Sequence, residues 1–195
     1  MHPSPQFHTS DREDLVARVR AHPFALLISA RNGRPLVTHT PMLVGDGGDL
    51  RFHIARASAL SPVLAETRRA LAVFTGPHAY ISPRWYELPD QVGTWNYVSV
   101  EAEGPLTPLA PDATLAFLHD LAATFDGPDP WTAADVSPAK LARLQAAITA
   151  FRLSPERFEG TTKLGQNKPA AARARAAARL GEHPVAALMR NTRAI

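Results

Sequence analysis

Two short strings hold most of the polar side chains that this sequence could use for chemistry. In "HIARAS", residues 53–58, His53 and Arg56 stand at the end of an apolar run, and Ser58 and Ser61 follow where a helix is due to begin. An arginine beside the free N–H groups of a helix start is a reasonable grip for a phosphate, because fixed donors there converge on an anion. In "KLGQNKP", residues 163–169, Lys163, Gln166 and Asn167 precede a second helix start at Pro169. The same string has a plain structural use: Asn167 or its neighbour caps the helix, Gly165 permits the turn, and Lys163 is solvated. Neither string decides its own role.

A third stretch, "HAYISPRWYELPDQVGTWNYVSV" at 78–100, gathers Tyr80, Trp85, Tyr86, Trp95 and Tyr97, every Trp and Tyr of the chain except Trp131. Such rings carry a polar edge on an apolar body, so they suit a flat ligand or a subunit interface better than a core. Other chemistries find less to work with. The chain has no Cys, which removes disulfides, thiolate nucleophiles and Cys-ligated metals. Its eight His are scattered, with His39, His53 and His78 on different strands and no pair at helical zinc spacing. Glu101 and Glu103 share a strand face, which reads as a solvated face before it reads as a carboxylate pair. Ser82 and Ser99 lie in no nucleophile elbow, and "GDGGD" at 45–49 lacks dinucleotide spacing and precedes a strand.

The elements that must position these residues follow from periodicity. Ser10-Asp11-Arg12-Glu13 reads as a capping box opening a helix that ends near Ala21, before His22-Pro23. "FALLISA" and "PLVTHTPMLV" form a hairpin around Asn32-Gly33, and "GDGGD" turns into "LRFHIA" to give three antiparallel strands in order. "SPVLAETRRA" is a short helix with Pro62 in its first turn. "LAVFTG" and "TWNYVSVEAEGPL" are strands, the latter alternating Tyr97, Ser99, Glu101 and Glu103 against Val98, Val100 and Ala102. The aromatic stretch between them is too irregular to be one strand. Two helices follow, "DATLAFLHDLAATF" and "PAKLARLQAAI", the second capped by Ser137; then strand character over "TAFRLSPERFEGTTKLG" and a helix from Pro169.

Six or so short antiparallel strands with helices between them predict an α+β fold built on a small barrel. At 195 residues the chain is read as a single domain, 1–195, with a helical C-terminal segment over 169–195. Its net charge of +3 is small, with a modest basic bias near the C-terminus. No secretory pattern opens the sequence, and no apolar run approaches the ~18–20 residues of a spanning helix, so a soluble cytoplasmic protein with no membrane partner is expected.

Taken together, "HIARAS", "GPHAYISPRWY", "TWNYVSVEAEG" and "KLGQNK" resemble the PaiB family, FMN-binding negative transcriptional regulators, along nearly the whole chain. The resemblance implies an antiparallel split β-barrel, of the type shared with pyridoxamine-phosphate oxidases, with peripheral helices. It also implies a homodimer with FMN at the subunit interface. It places His53, Arg56, Ala57 and Ser58 near the FMN phosphate and ribityl chain. Tyr80 and Ser82 belong to the second block it matches, Thr94, Trp95 and Asn96 to the third, and Lys163, Gln166 and Asn167 to the fourth. It assigns no catalytic residue and no metal. The family pattern has Asn-Pro at Ser58-Ala59, Pro at Gly93, Ser at Gly165 and His at Glu101, so Gly93 loosens the approach to Trp95 and Gly165 removes a hydroxyl. Alternative activities are a small FMN-dependent oxidoreductase or flavin reductase using NAD(P)H, and a haem-binding split-barrel protein using His53 or His78. Direct DNA contact has little support: 169–180 and 184–190 could imitate a helix-turn-helix, but "PVAALMRN" reads as a docking helix.

Overall fold

The computed structural model describes residues 2–192. The first helix, α1 (Arg12–Ala21), follows a two-residue strand β1 (His8–Thr9). Its cap is Asp11 and not Ser10: Asp11 Oδ1 accepts the N–H groups of Glu13 (3.0 Å) and Asp14 (3.2 Å). The carboxylate is the stronger acceptor and carries a charge that favours the helix N-terminus. Strands β2 (Phe24–Arg31) and β3 (Arg34–Pro41) form the expected hairpin, with Arg31 opposite Arg34 and both Asn32 (φ 52°) and Gly33 (φ 74°) left-handed. That is the backbone a two-residue turn demands of Asn-Gly.

The next hairpin, β4 (Leu43–Val44) and β5 (Leu50–Ala55), also forms, but β5 does not continue the first one. Its other neighbour is β8 (Ile148–Leu153), with Phe52 opposite Phe151 and the two rings stacked 5.7 Å apart. After α2 (Leu60–Thr67), β6 (Arg69–Ile81) runs well beyond "LAVFTG" and takes the start of the aromatic stretch into the sheet. The rest of that stretch leaves it through a 3-10 turn, Pro83–Tyr86, before β7 (Thr94–Pro108). Along β7 the predicted alternation holds, with Val98, Val100 and Ala102 buried and the intervening residues half-buried. Helices α3 (Pro111–Phe125) and α4 (Pro138–Ala146) precede β8 and β9 (Arg157–Lys163); α5 (Ala170–Arg179) and α6 (Pro184–Asn191) close the described chain. Ser137 caps α4 as expected, accepting the Lys140 N–H.

The sheet order is β3-β2-β6-β7-β8-β5-β4, with β9 joined to β7 and β1 to β9. The β1–β9, β2–β3, β2–β6, β4–β5, β5–β8 and β7–β8 pairings are antiparallel, and the path ends at β3 and β4 without closing. Contacts group the chain into two compact units. One unit gathers Met1–Ala21, Thr75–Glu101 and Glu159–Ile195; the other gathers His22–Phe74 and Ala102–Phe158. We call them the interrupted unit and the central unit. The core of the interrupted unit packs Ile81, Tyr86, Val98 and Leu164 against the Ala172–Ala176–Ala177 face of α5 and Val185, Ala186 and Met189 of α6. In the central unit Leu27, Phe52, Phe74 and Phe151 are fully buried. Among the described residues, no helix is long and apolar enough to cross a membrane.

Candidate functional site

Eight of the nominated residues lie in the interrupted unit, and β7 and the end of β9 bring three of them together. Lys163 donates from Nζ to Thr94 Oγ1 and to the Trp95 carbonyl (3.0 Å). Far from being solvated, this ammonium is partly enclosed; burial first, and the nearby Lys168 second, pull its pKa below the ordinary lysine value. Trp95 stays 54 % exposed and Tyr80, 49 % exposed, meets it edge-on at 6.2 Å. Two half-exposed rings beside a cation form a surface suited to a flat, electron-rich or anionic guest.

Behind them lies a polar pair in an apolar core. Asn96 sits on the buried row of β7 and is 1 % exposed, yet among the described residues its Nδ2 has no hydrogen-bond partner, and the buried Tyr86 Oη also has none. Both atoms border Gly165 (φ 80°): a Cβ there would lie 3.6 Å from Tyr86 Oη and 3.7 Å from Asn96 Nδ2. Burial raises the Tyr86 pKa and Asn96, close to the phenol, opposes that rise, but neither atom completes a hydrogen bond. The hydroxyl that the PaiB pattern carries at position 165 would stand beside both.

The other nominees of this unit are engaged elsewhere or stand apart. Gln166 closes its own turn: its Oε1 accepts the Leu164 N–H (2.7 Å) and its Nε2 donates to the Thr162 carbonyl. Ser82 Oγ caps the 3-10 turn by accepting the Arg84 N–H at 3.4 Å. Asn167 is exposed and caps nothing; Pro169 occupies the N-cap of α5.

The remaining four nominees lie in the central unit, on the turn from β5 to α2. Arg56 is exposed and its guanidinium already grips backbone: Nε donates to the Ala146 carbonyl and Nη2 to the Ile148 carbonyl, both at 2.9 Å. Its own N–H donates to the Ala147 carbonyl, and Ser58 Oγ accepts the Leu60 N–H at 3.3 Å, so the turn is less rich in free donors than the sequence suggests. Among the described residues, the other N–H groups of the guanidinium fork have no partner. Ala57 is exposed. His53 is half-buried and lies against Phe117, with ring centroids 6.0 Å apart, and burial lowers its pKa.

Sequence reasoning missed Tyr86, whose orphaned hydroxyl needs three distant segments to be seen, and Arg173 and Arg175. Arg173, only 7 % exposed, donates from Nε to the Met189 carbonyl (3.2 Å) and from Nη2 to the Thr192 carbonyl (2.9 Å), tying down the end of α6. Arg175 pairs with Glu87 (3.1 Å) and donates to the Tyr86 carbonyl, fixing the 3-10 turn on α5. Their signal was present in the "ARARAAAR" run as cations placed among small, core-facing alanines.

Residues 1–157 match a family profile described as "Putative FMN-binding domain". Over 169 residues the chain is 27 % identical to the protease synthase and sporulation protein PAI 2 of Bacillus subtilis, covering 83 % of this chain and 80 % of that one. Among solved structures, the FAD and heme binding protein of Mycobacterium smegmatis superposes with a TM-score of 0.66 at 21 % identity, over 82 % of this chain and 74 % of that one. A flavocytochrome from Azotobacter vinelandii superposes at 0.64 and 21 % identity, over 84 % and 72 %. At that identity the two structures speak for the fold, an antiparallel split barrel with peripheral helices whose sheet is not closed.

Proposed function

The chain belongs to the PaiB family of FMN-binding split-barrel proteins, and on that premise we propose that it is a flavin-dependent negative regulator of transcription, acting as a cytoplasmic homodimer. FMN is the cofactor. The residues present suit it. Asn96 Nδ2 and Tyr86 Oη are buried polar atoms without partners, and an unsatisfied buried donor costs about 1–3 kcal/mol, which a ligand's acceptor relieves. Thr94, Trp95, Asn96 and Tyr80 are assigned to the flavin ring and Lys163 to an anionic edge or oxygen of it. Arg56, Ala57 and Ser58 are assigned to the phosphate, through the uncommitted arm of the guanidinium and the turn's hydroxyl. Ser82 and Gln166 serve by shaping the backbone around those groups, and the exposed Asn167 is assigned to the ligand directly. When bound, the flavin supplies the redox chemistry; the protein's part is to bind, orient and shield it.

The regulatory reading rests on the family resemblance, and the engagement of the C-terminal helices bears on its mode. The apolar faces of α5 and α6 are buried in the core of the interrupted unit, and Arg173 is spent on carbonyls, which supports reading α6 as a docking helix. Repression on this reading runs through a partner or through the redox state of the flavin, without sequence-specific DNA contact. Purified protein is expected to carry flavin absorbance that comigrates with a dimer on size exclusion, and to shift promoter DNA only weakly and salt-sensitively in both redox states. A colourless protein that ignores added FMN overturns the cofactor assignments, and tight, sequence-selective DNA binding overturns the indirect mode.

A further inference from the structure

Helices α3 and α4 present apolar faces that they do not use against the core. Only Thr114 and Phe117 of α3 are buried, and no residue of α4 is. What their faces make instead is a pocket of about 390 Å³, within the usual range for a small-molecule site. Leu121 and Phe125 of α3, Trp131, Leu144 of α4 and Ile148 of β8 line it, and His53 of β5 is its one imidazole. Phe125 (49 % exposed) and Leu144 (47 %) remain open to solvent.

His53 gives the pocket a chemical preference. Among the described residues its ring has no hydrogen-bond partner: the Thr40 hydroxyl takes its backbone carbonyl, Phe117 takes a ring edge, and Nδ1 is sealed and unpaired. That leaves Nε2 for a guest. Burial keeps the imidazole neutral near pH 7, so it offers a hydrogen bond and no charge. Among the described residues the other polar lining groups are Asp126, whose Oδ2 accepts the Trp131 backbone N–H at 3.1 Å, and the neutral amide of Gln145, and no lysine or arginine lines the pocket. An anion, including a phosphate-bearing flavin, is therefore disfavoured. A second copy of the chain is also a poor match, since a stable dimer face needs roughly 800 Å² per partner and this surface is a small concavity.

We propose that this pocket is a second ligand site, which takes His53 out of the flavin surroundings where the family resemblance places it, for a flat, uncharged aromatic molecule bearing one hydroxyl or carbonyl oxygen that hydrogen-bonds to Nε2 of His53. Phe125 and Trp131 supply ring-on-ring contact, the leucines supply apolar burial, and the imidazole selects for the oxygen.

The test uses the full-length, FMN-saturated protein titrated calorimetrically with 2-naphthol, and with naphthalene as the oxygen-free control. Saturable binding at one site per chain is expected, with 2-naphthol preferred. His53→Phe should reduce the 2-naphthol affinity by about three- to tenfold and leave naphthalene unchanged, the loss of one hydrogen bond. Ala122→Trp, which fills the pocket from the surface of α3, should abolish both, and it decides the matter if His53→Phe does not fold. Equal preference for the two probes in wild type, or unchanged binding in Ala122→Trp, overturns the proposal. So does displacement of 2-naphthol by excess FMN, which would give the pocket to the flavin. Self-association that excludes the probe and is relieved by Ala122→Trp would give it to a second copy, and would overturn it too.

Discussion

The phenol of Tyr80 covers the α-carbon of Gly93. A Cβ built on Gly93 would lie 2.7 Å from Tyr80 Cζ and 2.9 Å from Cε2, inside the ring's van der Waals envelope. The glycine here, where the PaiB pattern has proline, does more than loosen the approach to Trp95: it makes room for the ring that touches Trp95. Gly93→Ala should therefore push Tyr80 off its place at little cost in stability, within about 1 kcal/mol because the ring is half exposed. Tryptophan emission should change, and FMN affinity should fall several-fold. An unchanged FMN titration would remove Tyr80 from the flavin's surroundings.

Arg56 has two duties that one substitution separates. Arg56→Ala should weaken FMN several-fold to a hundredfold, on the scale of about 1.5–3 kcal/mol for a charge-assisted bond. It should also cost about 1 kcal/mol of stability, because the guanidinium bonds to the Ala146 and Ile148 carbonyls are lost from an exposed site. Flavin titration and urea denaturation read the two effects independently. Lowered stability with unchanged affinity would leave Arg56 as a strap on the end of α4 and nothing more.

Arg173 is a buried cation that donates to the backbone carbonyls of Met189, Lys168 and Thr192. Arg173→Met should destabilise by about 2–3 kcal/mol, since it leaves the Met189 and Thr192 carbonyls without donors. Hydrogen exchange should show α6 loosening first.

The pKa of His53 is lowered by burial, and the sign of the resulting pH dependence is fixed. Between the ordinary histidine value and the depressed folded one, the unfolded chain holds more protons than the folded chain. Stability therefore falls as pH drops through about 6.5 and levels off below the folded value. His53→Phe should flatten the melting temperature between pH 7 and 5 relative to wild type. Parallel curves would mean the imidazole titrates as freely folded as unfolded.

What could be read from the sequence was local. Asn32-Gly33 states its turn in two residues, Ser137-Pro138 states a helix start, and the β7 alternation states which face is buried. The PaiB match rests on such short, contiguous blocks. The Asp11 cap was missed by one residue because Ser and Asp compete for the same position and only geometry chooses between them. The partner of β5 was missed because strand pairing is non-local: Phe52 finds Phe151 some hundred residues on. Within the site, the aromatic cluster was visible in composition, but the fate of Gln166 was not. Its amide reads as a ligand group until the turn that consumes it is seen. Likewise the apolar stripes of α3 and α4 look like core in a string of letters and turn out to frame a pocket.

The interrupted unit is drawn from three separate stretches of chain, and this constrains the order in which it can come into being. During synthesis the central unit has all its residues once position 158 has emerged. The other cannot close: Leu164, the alanine face of α5 and Met189 still lie ahead, while Ile81, Tyr86 and Val98 wait with their partners unmade. The family profile ends at residue 157, so a fragment cut at that boundary would carry the signature and lack much of a core. Nascent chains stalled near that length should display apolar surface for as long as the last few dozen residues take to arrive, which is when a holding chaperone has most to gain.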